Sequence, residues 1–210
     1  MTGVQTCALP ILTRLIGDES SGEQLSESEL LQNCVFILNA GHETTTNLIG
    51  NALVALQEHP EARANMLSKT ELIEHDIRGL EAYLALVIDE FLRFEPSNQL
   101  GNRRALHATR IGQVDMEAGS LLTLCIAAAN RDPLVFDHPN QLDFERTSNR
   151  HLAFGLGIHQ CAGMSLARLE GRVAVGRFVQ RFPGYQLTGA PVRGGRARFR
   201  GFLSAPFLTR

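Results

Sequence analysis

One cysteine of this chain lies in a glycine-rich loop directly before a predicted helix. Residues 154–163 read FGLGIHQCAG, with the cysteine at Cys161. Gly157 can adopt a left-handed backbone, and Gly163 lets the following helix approach a flat group closely. The loop amides and the N-terminal end of that helix favour a thiolate, whose sulfur Phe154 would shield from water. The pattern therefore favours a thiolate bound to the metal of a planar cofactor over a small buried thiol.

A second motif, AGHETT, occupies residues 40–45 in the middle of a predicted helix. Gly41 weakens the helix, and Thr44 can hydrogen bond to the carbonyl group four residues earlier and loosen it locally. Such an opening can hold dioxygen and water, with Glu43 and Thr44 as a proton relay. The alternative is that the small residues only permit close packing of helices.

A third pair of residues, Glu90 and Arg93, lies three positions apart on one face of a predicted helix. This spacing allows an ion pair. Most such pairs are solvated surface contacts of little energetic value. A buried pair needs a further partner, and Arg146 in the coil before the cysteine loop is the candidate.

The helices that must position these groups are visible in the apolar pattern. Ser26 and Glu29 form a capping-box pattern, and the apolar stretch that follows predicts one long, largely buried helix that runs to Pro60. Pro60 opens a shorter helix. A further helix is predicted over residues 80–94, where it ends at a Glu-Pro step.

The rest of the chain contains short strands, coil and one more helix. β-branched residues and glycines predict strands and turns over residues 103–126, and residues 130–152 lack periodicity. Residues 164–182 form an amphipathic helix pattern, and residues 185–207 predict short terminal strands. No repeat or linker divides the chain. The predicted fold is one mainly α domain with minor β structure.

The composition is that of a globular protein. The chain has 210 residues, 44% of them hydrophobic, and a net charge of -2, which argues against a nucleic-acid partner. Its four cysteines lack paired spacing, which disfavours disulfides and zinc ribbons and favours a reducing compartment, the cytoplasm. No apolar run reaches membrane-spanning length.

The first residues have an unusual sequence. Residues 1–11, MTGVQTCALPI, read like a translated short-read sequencing adapter, and we expect them to be non-native. The alternative is an ordinary disordered N-terminus. The expected domain organisation is therefore a non-native tail at 1–11 and a portion of a single domain at 12–210.

In combination and in this order, the three motifs resemble the cytochrome P450 family. FGLGIHQCAG is similar to the family's heme-binding signature, AGHETT to its oxygen-activation helix, and residues 90–93 to its Glu-x-x-Arg motif. HLAFG before the cysteine and AANRDP at 128–133 resemble bacterial members. The resemblance covers residues 12–210 and implies the C-terminal half of the family's fold, that is, the C-terminal heme-binding portion of a single cytochrome P450 domain.

The resemblance implies a heme-thiolate monooxygenase that inserts one oxygen atom from O2 into a small organic substrate. Cys161 would be the axial ligand of heme b, iron protoporphyrin IX, and its thiolate would favour O–O cleavage. Glu43 and Thr44 would be the acid and the alcohol of proton delivery. A non-catalytic heme-thiolate sensor would need only the cysteine, and an inactive gene fragment is a third possibility.

Further residues match family positions that bind the heme or stabilise the fold. Arg104 and His159 match positions that bind heme propionates, which charge pairing also favours. The alternative for Arg104 is a plain surface residue of a strand. Glu90, Arg93 and Arg146 match the structural triad. One departure is the absence of acidic residues from 105–110, where bacterial relatives commonly have them.

The resemblance also implies partners. These are O2, a small lipophilic substrate, and a separate electron donor of the ferredoxin or flavodoxin type, since no flavin or iron–sulfur motif is present. Arg168 and Arg172 are candidates for docking that donor, and the alternative is that they are solvated surface charges. Substrate contacts are expected at residues 36–40 and 97–102 and around Phe202 and Leu203. Complete family members are much longer, so we expect the 210-residue chain alone to bind heme weakly or not at all.

Overall fold

The computed structural model describes residues 25–73 and 75–209. The predicted non-native segment, 1–11, lies outside these ranges. The chain divides into two compact units, the first ending at Glu43 and the second beginning at Thr44. Helix α1, Glu27–Glu58, contains residues of both.

The described part of the first unit is the N-terminal half of α1. The capping box is formed, because the Ser26 N–H donates to Glu29 Oε2 at 2.9 Å and the Glu29 N–H donates to Ser26 Oγ at 3.3 Å. Five large apolar side chains of this half are nonetheless between 38% and 70% exposed: Leu31, Val35, Phe36, Ile37 and Leu38. The prediction of a largely buried helix is therefore wrong before Thr44, where the described residues leave an apolar sequence uncovered.

The second unit contains the remaining helices. Helix α2 is Pro60–Leu72, α3 is Ile77–Phe94, α4 is the short Ile126–Ala129, and α5 is Met164–Arg181, with a 3-10 turn at Gly157–His159. Helix α3 begins three residues before the predicted start at Leu80. The reason is Asp76, whose side chain accepts from the Gly79 N–H at 3.0 Å and caps the helix, a signal independent of apolar periodicity.

Short antiparallel pairs make up the β structure of the described residues. Strand β1, Leu100–Arg104, pairs with β4, Leu121–Cys125, and β2, Thr109–Ile111, pairs with β3, Val114–Met116. Strand β5, Gln186–Leu187, pairs with β8, Phe207–Leu208, and β6, Val192–Arg193, pairs with β7, Phe202–Ser204. The mainly α fold with minor β structure is confirmed.

The core of the second unit lies where α3 and α5 pack against the C-terminal half of α1. Its fully buried side chains come from all three helices and from the segment after α5: Leu48, Leu56, Val87, Ile88, Phe91, Val175, Val179 and Tyr185. Gly176 makes the close approach of α5 to α3 possible, because a Cβ atom there would lie 2.7 Å from Leu84 Cδ1. Among the described helices, none has the length and apolar content needed to cross a membrane.

Candidate functional site

The cysteine loop is closed by main-chain hydrogen bonds. The Cys161 N–H donates to the Phe154 carbonyl oxygen at 2.8 Å, and the Gln160 N–H donates to the Gly157 carbonyl oxygen at 3.0 Å. Gly155 and Gly157 have φ angles of 69° and 74°, in the left-handed region that glycine adopts without a Cβ clash. These bonds hold Cys161 three residues before the start of α5.

The cysteine side chain is exposed, as are the aliphatic side chains of Leu156 and Ile158 in its loop. Gly163, which precedes α5, would place a Cβ atom 3.9 Å from Cys161 Sγ, so any side chain there would lie against the sulfur. Leu156 and Ile158 are exposed by 75% and 98%. A soft sulfur ligand among exposed apolar groups fits a planar, largely apolar metal cofactor.

Phe154 belongs to a polar and aromatic cluster behind the loop. The Arg168 Nε donates to Asp89 Oδ1 at 2.7 Å, and His151 Nε2 lies 3.4 Å from the same oxygen. The Arg168 guanidinium also lies 4.9 Å from the centroid of the Phe154 ring. The partly buried Phe154 side chain packs against the core. The cluster therefore joins α3, the start of the cysteine loop and α5.

Asp89 is held ionised in this cluster. Burial alone would raise the pKa of Asp89, but hydrogen bonds and positive charge from His151 and Arg168 hold it below its ordinary value. Arg168 was one candidate from the sequence for docking an electron donor, and the structure pairs it with Asp89 and Phe154 while its side chain stays 33% exposed. The cluster could not be predicted from the sequence, because nothing there shows that α5 packs on α3 at this point.

The Glu90 and Arg93 side chains form a buried ion pair. Both residues are fully buried, and the two oxygens of Glu90 accept from Arg93 Nη2 at 2.7 Å and from Arg93 Nε at 2.8 Å. The guanidinium also donates to main-chain carbonyl oxygens of the irregular coil, at distances of 2.8 to 3.1 Å: those of Asn130, Pro139 and Gln141. A buried charge pair with this many donors satisfied is stable in an apolar surrounding.

Arg146 approaches Glu90 from the coil. Its Nε donates to Glu90 Oε2 at 3.2 Å, and its Nη1 donates to the Asp137 carbonyl oxygen at 2.8 Å. The structure thus places Glu90, Arg93 and Arg146 in one network. Sequence reasoning missed Asn149, whose Nδ2 donates to Glu90 Oε2 at 3.1 Å.

The candidate proton-relay residues lie next to each other on α1. Both Glu43 and Thr44 are partly buried. The Thr44 carbonyl oxygen accepts a hydrogen bond from the Ser97 hydroxyl at 2.7 Å. Ser97 falls in the predicted substrate-contact segment 97–102, but this contact was not predicted, because a hydroxyl group 53 residues away in sequence gives no signal of it.

The two candidate propionate ligands lie on separate elements of the second unit. Arg104 is the last residue of β1, where it pairs with Leu121, and its side chain is exposed. His159 ends the 3-10 turn of the cysteine loop and is also exposed. Two exposed cationic or polar side chains of this kind suit carboxylate groups of a bound ligand.

Comparison with known proteins gives a consistent result. A family model described as Cytochrome P450 matches residues 6–185. The chain is 38% identical over 182 residues to "Cytochrome P450 107B1" of Saccharopolyspora erythraea, covering 86% of this chain and 42% of the relative. It is 36% identical over 182 residues to "Cyclomarin C epoxidase CymV" of Salinispora arenicola, covering 87% and 43%.

A solved structure shares the fold. The structure of the Bacillus subtilis bacillaene polyketide synthase cytochrome P450 PksS matches with a TM-score of 0.81 and 31% identity, over 94% of this chain and 49% of that one. The chain therefore spans less than half the length of these relatives.

Proposed function

The chain belongs to the cytochrome P450 family and corresponds to the C-terminal part of its domain, and from this premise we propose that it acts in a heme-thiolate monooxygenase. The reaction inserts one oxygen atom from O2 into a small organic substrate. The observation that carries the proposal is the exposed Cys161, whose N–H donates a hydrogen bond to the Phe154 carbonyl oxygen. Similarity to a relative named as an epoxidase supports an oxygen-inserting reaction.

Heme is the cofactor of the family, and we propose that the bound form is heme b. Cys161 would ligate the iron, with Phe154 beside the loop as its shield from water. Gly157 and Gly163 would let the loop and α5 lie against the ring. When bound, the heme would supply the redox chemistry that activates dioxygen, with electron donation from the thiolate favouring O–O cleavage.

The propionate groups would be held by side chains that the structure leaves exposed. We assign Arg104 and His159 to them, since a guanidinium and an imidazole can each donate to a carboxylate. Glu90, Arg93 and Arg146 would not touch the reacting groups. Their buried network would fix the coil that leads into the cysteine loop.

Proton delivery is assigned to two adjacent residues of α1. The Glu43 carboxyl group would collect a proton from water, and the Thr44 hydroxyl group would pass it on to the reacting oxygen. The hydrogen bond from Ser97 to the Thr44 carbonyl oxygen supports this role, because it holds the helix backbone at that residue.

The partners belong to the same proposal. Besides O2, they are a lipophilic organic substrate and a separate electron donor, which we take to be of the ferredoxin or flavodoxin type. The cytoplasm is the proposed location, from the cysteine pattern of the sequence.

A carbon monoxide difference spectrum of the reduced full natural protein tests the ligand. Thiolate ligation predicts a band at about 450 nm, which Cys161→Ser should abolish. Cys125→Ser is the matched control, because Cys125 is also exposed but lies at the end of β4. A band well to the blue in the unmodified protein, or one that survives Cys161→Ser, would show that the proposal is wrong.

A further inference from the structure

Asn130 is a fully buried polar residue of the second unit. It directly follows α4, and its exposed fraction is 0%. Burying an amide side chain costs free energy unless its polar atoms find hydrogen-bond partners. The partners of Asn130 therefore show which segments this side chain holds together.

The Asn130 side chain binds the main chain of two different segments. Its Oδ1 accepts from the Leu152 N–H at 2.7 Å, and its Nδ2 donates to the Leu92 carbonyl oxygen at 3.4 Å. Leu92 belongs to α3, whereas Leu152 is 22 residues further along the chain than Asn130, just before the cysteine loop. An amide group offers both the acceptor and the donor that these two contacts require. The side chain thus ties the segment before the cysteine loop to α3.

The main chain of Asn130 is itself fixed on both sides. Its N–H donates to the Ile126 carbonyl oxygen at 3.0 Å, and its carbonyl oxygen accepts from Arg93 Nη1 at 3.1 Å. The same guanidinium is paired with the buried Glu90 carboxylate. Asn130 therefore connects the buried ion pair of α3 with the main chain of Leu152.

Hydrogen bonds continue from Leu152 to the cysteine. The Leu152 carbonyl oxygen accepts from the Gly155 N–H at 2.9 Å, and the Phe154 carbonyl oxygen accepts from the Cys161 N–H at 2.8 Å. Residues 152–155 therefore form a closed turn that carries the acceptor of the cysteine amide. A shift of Leu152 would move this turn, and Cys161 would lose its fixed partner.

The segment before the loop has a second attachment next to the first. The His151 side chain is only 3% exposed, and its Nε2 lies 3.4 Å from Asp89 Oδ1 on α3. Its Nδ1 accepts from the Ala153 N–H at 3.3 Å. Two successive main-chain N–H groups, those of Leu152 and Ala153, are thus bound by buried side chains. Such double attachment leaves the segment little freedom to shift.

We propose that Asn130 is a positioning residue for the cysteine ligand, which transmits the fixed position of the Glu90–Arg93 pair to the loop and so holds the Cys161 sulfur in place for the heme. The inference rests on the proposed heme-thiolate function and adds a residue to it. Groups that orient a metal ligand without touching the metal tune its reduction potential through the geometry and hydrogen bonds of that ligand.

Hydrogen exchange in the full natural protein tests the inference without relying on turnover. Asn130→Leu keeps most of the side-chain volume but removes the acceptor of the Leu152 N–H. The Cys161 amide should then exchange about fivefold faster, because the loss of one buried hydrogen bond has an effect of this size. The substitution leaves the acceptor of that amide, the Phe154 carbonyl group, unaltered, so faster exchange reports movement of the loop. An unchanged rate at Cys161 overturns the inference.

Asn130→Asp is the matched variant. It keeps an oxygen at the position that accepts from the Leu152 N–H, but it loses the amide that donates to the Leu92 carbonyl oxygen. Both variants should lower the midpoint of urea unfolding. Only Asn130→Leu should speed exchange at Cys161 and shift the reduction potential of the heme. Equal shifts of the potential in both variants would show that Asn130 has a general structural role only.

Tyr185→Phe controls for a loss of stability alone. The Tyr185 hydroxyl donates to the Leu53 carbonyl oxygen at 2.9 Å, a buried bond between α1 and the segment after α5. Its removal should also lower the midpoint of unfolding but leave exchange at Cys161 and the reduction potential unchanged. If Tyr185→Phe changes both as much as Asn130→Leu does, the inference is wrong.

The unmodified protein provides a test that does not depend on folding of a variant. Leu152 is 36% exposed, so only its hydrogen bond to Asn130 should slow exchange of its amide. We expect exchange at least about tenfold slower than that of a free amide in the same buffer. Exchange as fast as that of a free amide would show that Asn130 does not hold the segment.

The carbon monoxide spectrum of the same samples separates this inference from the proposed function. A band at about 450 nm together with an unchanged exchange rate in Asn130→Leu overturns the positioning role alone. The absence of that band from the unmodified protein overturns the heme-thiolate function. The exchange rates then still test whether Asn130 holds the loop.

Discussion

The hydroxyl group of Ser97 donates a hydrogen bond to the main-chain carbonyl oxygen of Thr44 over 2.7 Å. Ser97 is only 6% exposed, so water does not readily replace this bond. A side-chain donor on a helix carbonyl can bend the helix at that point. The contact therefore links the segment after α3 to the backbone of the residue proposed to deliver protons.

Replacing Ser97 should make the helix backbone at Thr44 more mobile. Ser97→Ala should lower the free energy of unfolding by about 1 kcal/mol and speed hydrogen exchange of the α1 amides near Thr44. In the working enzyme, a larger share of consumed O2 should appear as hydrogen peroxide. Ser97→Thr keeps the hydroxyl group and should restore both properties. Unchanged exchange and unchanged peroxide yield in Ser97→Ala would refute a positioning role.

Removing the charge of Glu90 should destabilise the protein strongly. Glu90→Gln leaves the buried guanidinium groups of Arg93 and Arg146 without their carboxylate, at a cost of about 3–5 kcal/mol. Urea unfolding of the full natural protein measures this. Glu81→Gln, at an exposed position of the same helix, should change the free energy by less than about 0.5 kcal/mol. Similar values for the two variants would show that the network contributes little.

The Asp89 cluster should contribute a stability that depends on pH. The pKa of Asp89 in the folded protein lies below its ordinary value of 3.8, so the ionised carboxylate stabilises the fold above that value. This contribution is lost as the pH falls through the folded-state pKa. Asp89→Asn should therefore lower the free energy of unfolding by about 1–2 kcal/mol near neutral pH, discounted for partial exposure, and by less at about pH 3.

The matched control for that experiment is Asp115→Asn. Asp115 pairs with Arg110 at 3.4 Å, but its side chain is 81% exposed. A change below about 0.5 kcal/mol is expected at every pH. A difference between Asp89→Asn and the unmodified protein that stays constant down to acid pH would contradict the assigned charge interaction.

The isolated 210-residue chain should bind heme poorly. The exposed Cys161, Leu156 and Ile158 offer a ligand and apolar contacts, but the described residues do not enclose them. Titration with hemin should give no stable Soret band, whereas the full natural protein should retain one through gel filtration. A stable Soret band from the isolated chain would show that these residues suffice.

The elements with local signals were predictable. The capping box of Ser26 and Glu29 marks the start of α1, and the residue before Pro96 marks the end of α3. The glycine spacing of the cysteine loop gives its shape, since Gly157 has the positive φ that the sequence predicts. Each of these three predictions depends on residues that are close to each other in the sequence.

The contacts between distant segments were not predictable from periodicity. The pairing of Arg168 with Asp89 crosses 79 residues, and the bond from Asn149 to Glu90 crosses 59. The sequence itself offered Arg146 only as a candidate partner of the Glu90–Arg93 pair. The family resemblance then assigned Arg146 to the structural triad. The sequence predicted that Phe36 on α1 would be buried, whereas its side chain is exposed. An apolar pattern shows only which face of a helix can be buried, because burial also requires another element that packs against that face.

The three carbonyl oxygens that meet the Arg93 guanidinium belong to the backbone of a segment without regular structure. Main-chain oxygens are supplied by any amino acid, so substitutions there leave the bonds intact. An insertion or deletion between Asn130 and Gln141 would instead move a carbonyl oxygen away from the Arg93 guanidinium. A buried N–H group of Arg93 would then lack a hydrogen-bond acceptor. During evolution the length of this stretch should therefore stay constant, while residue types change mainly at its exposed positions, since Asn130 and Phe136 have buried side chains.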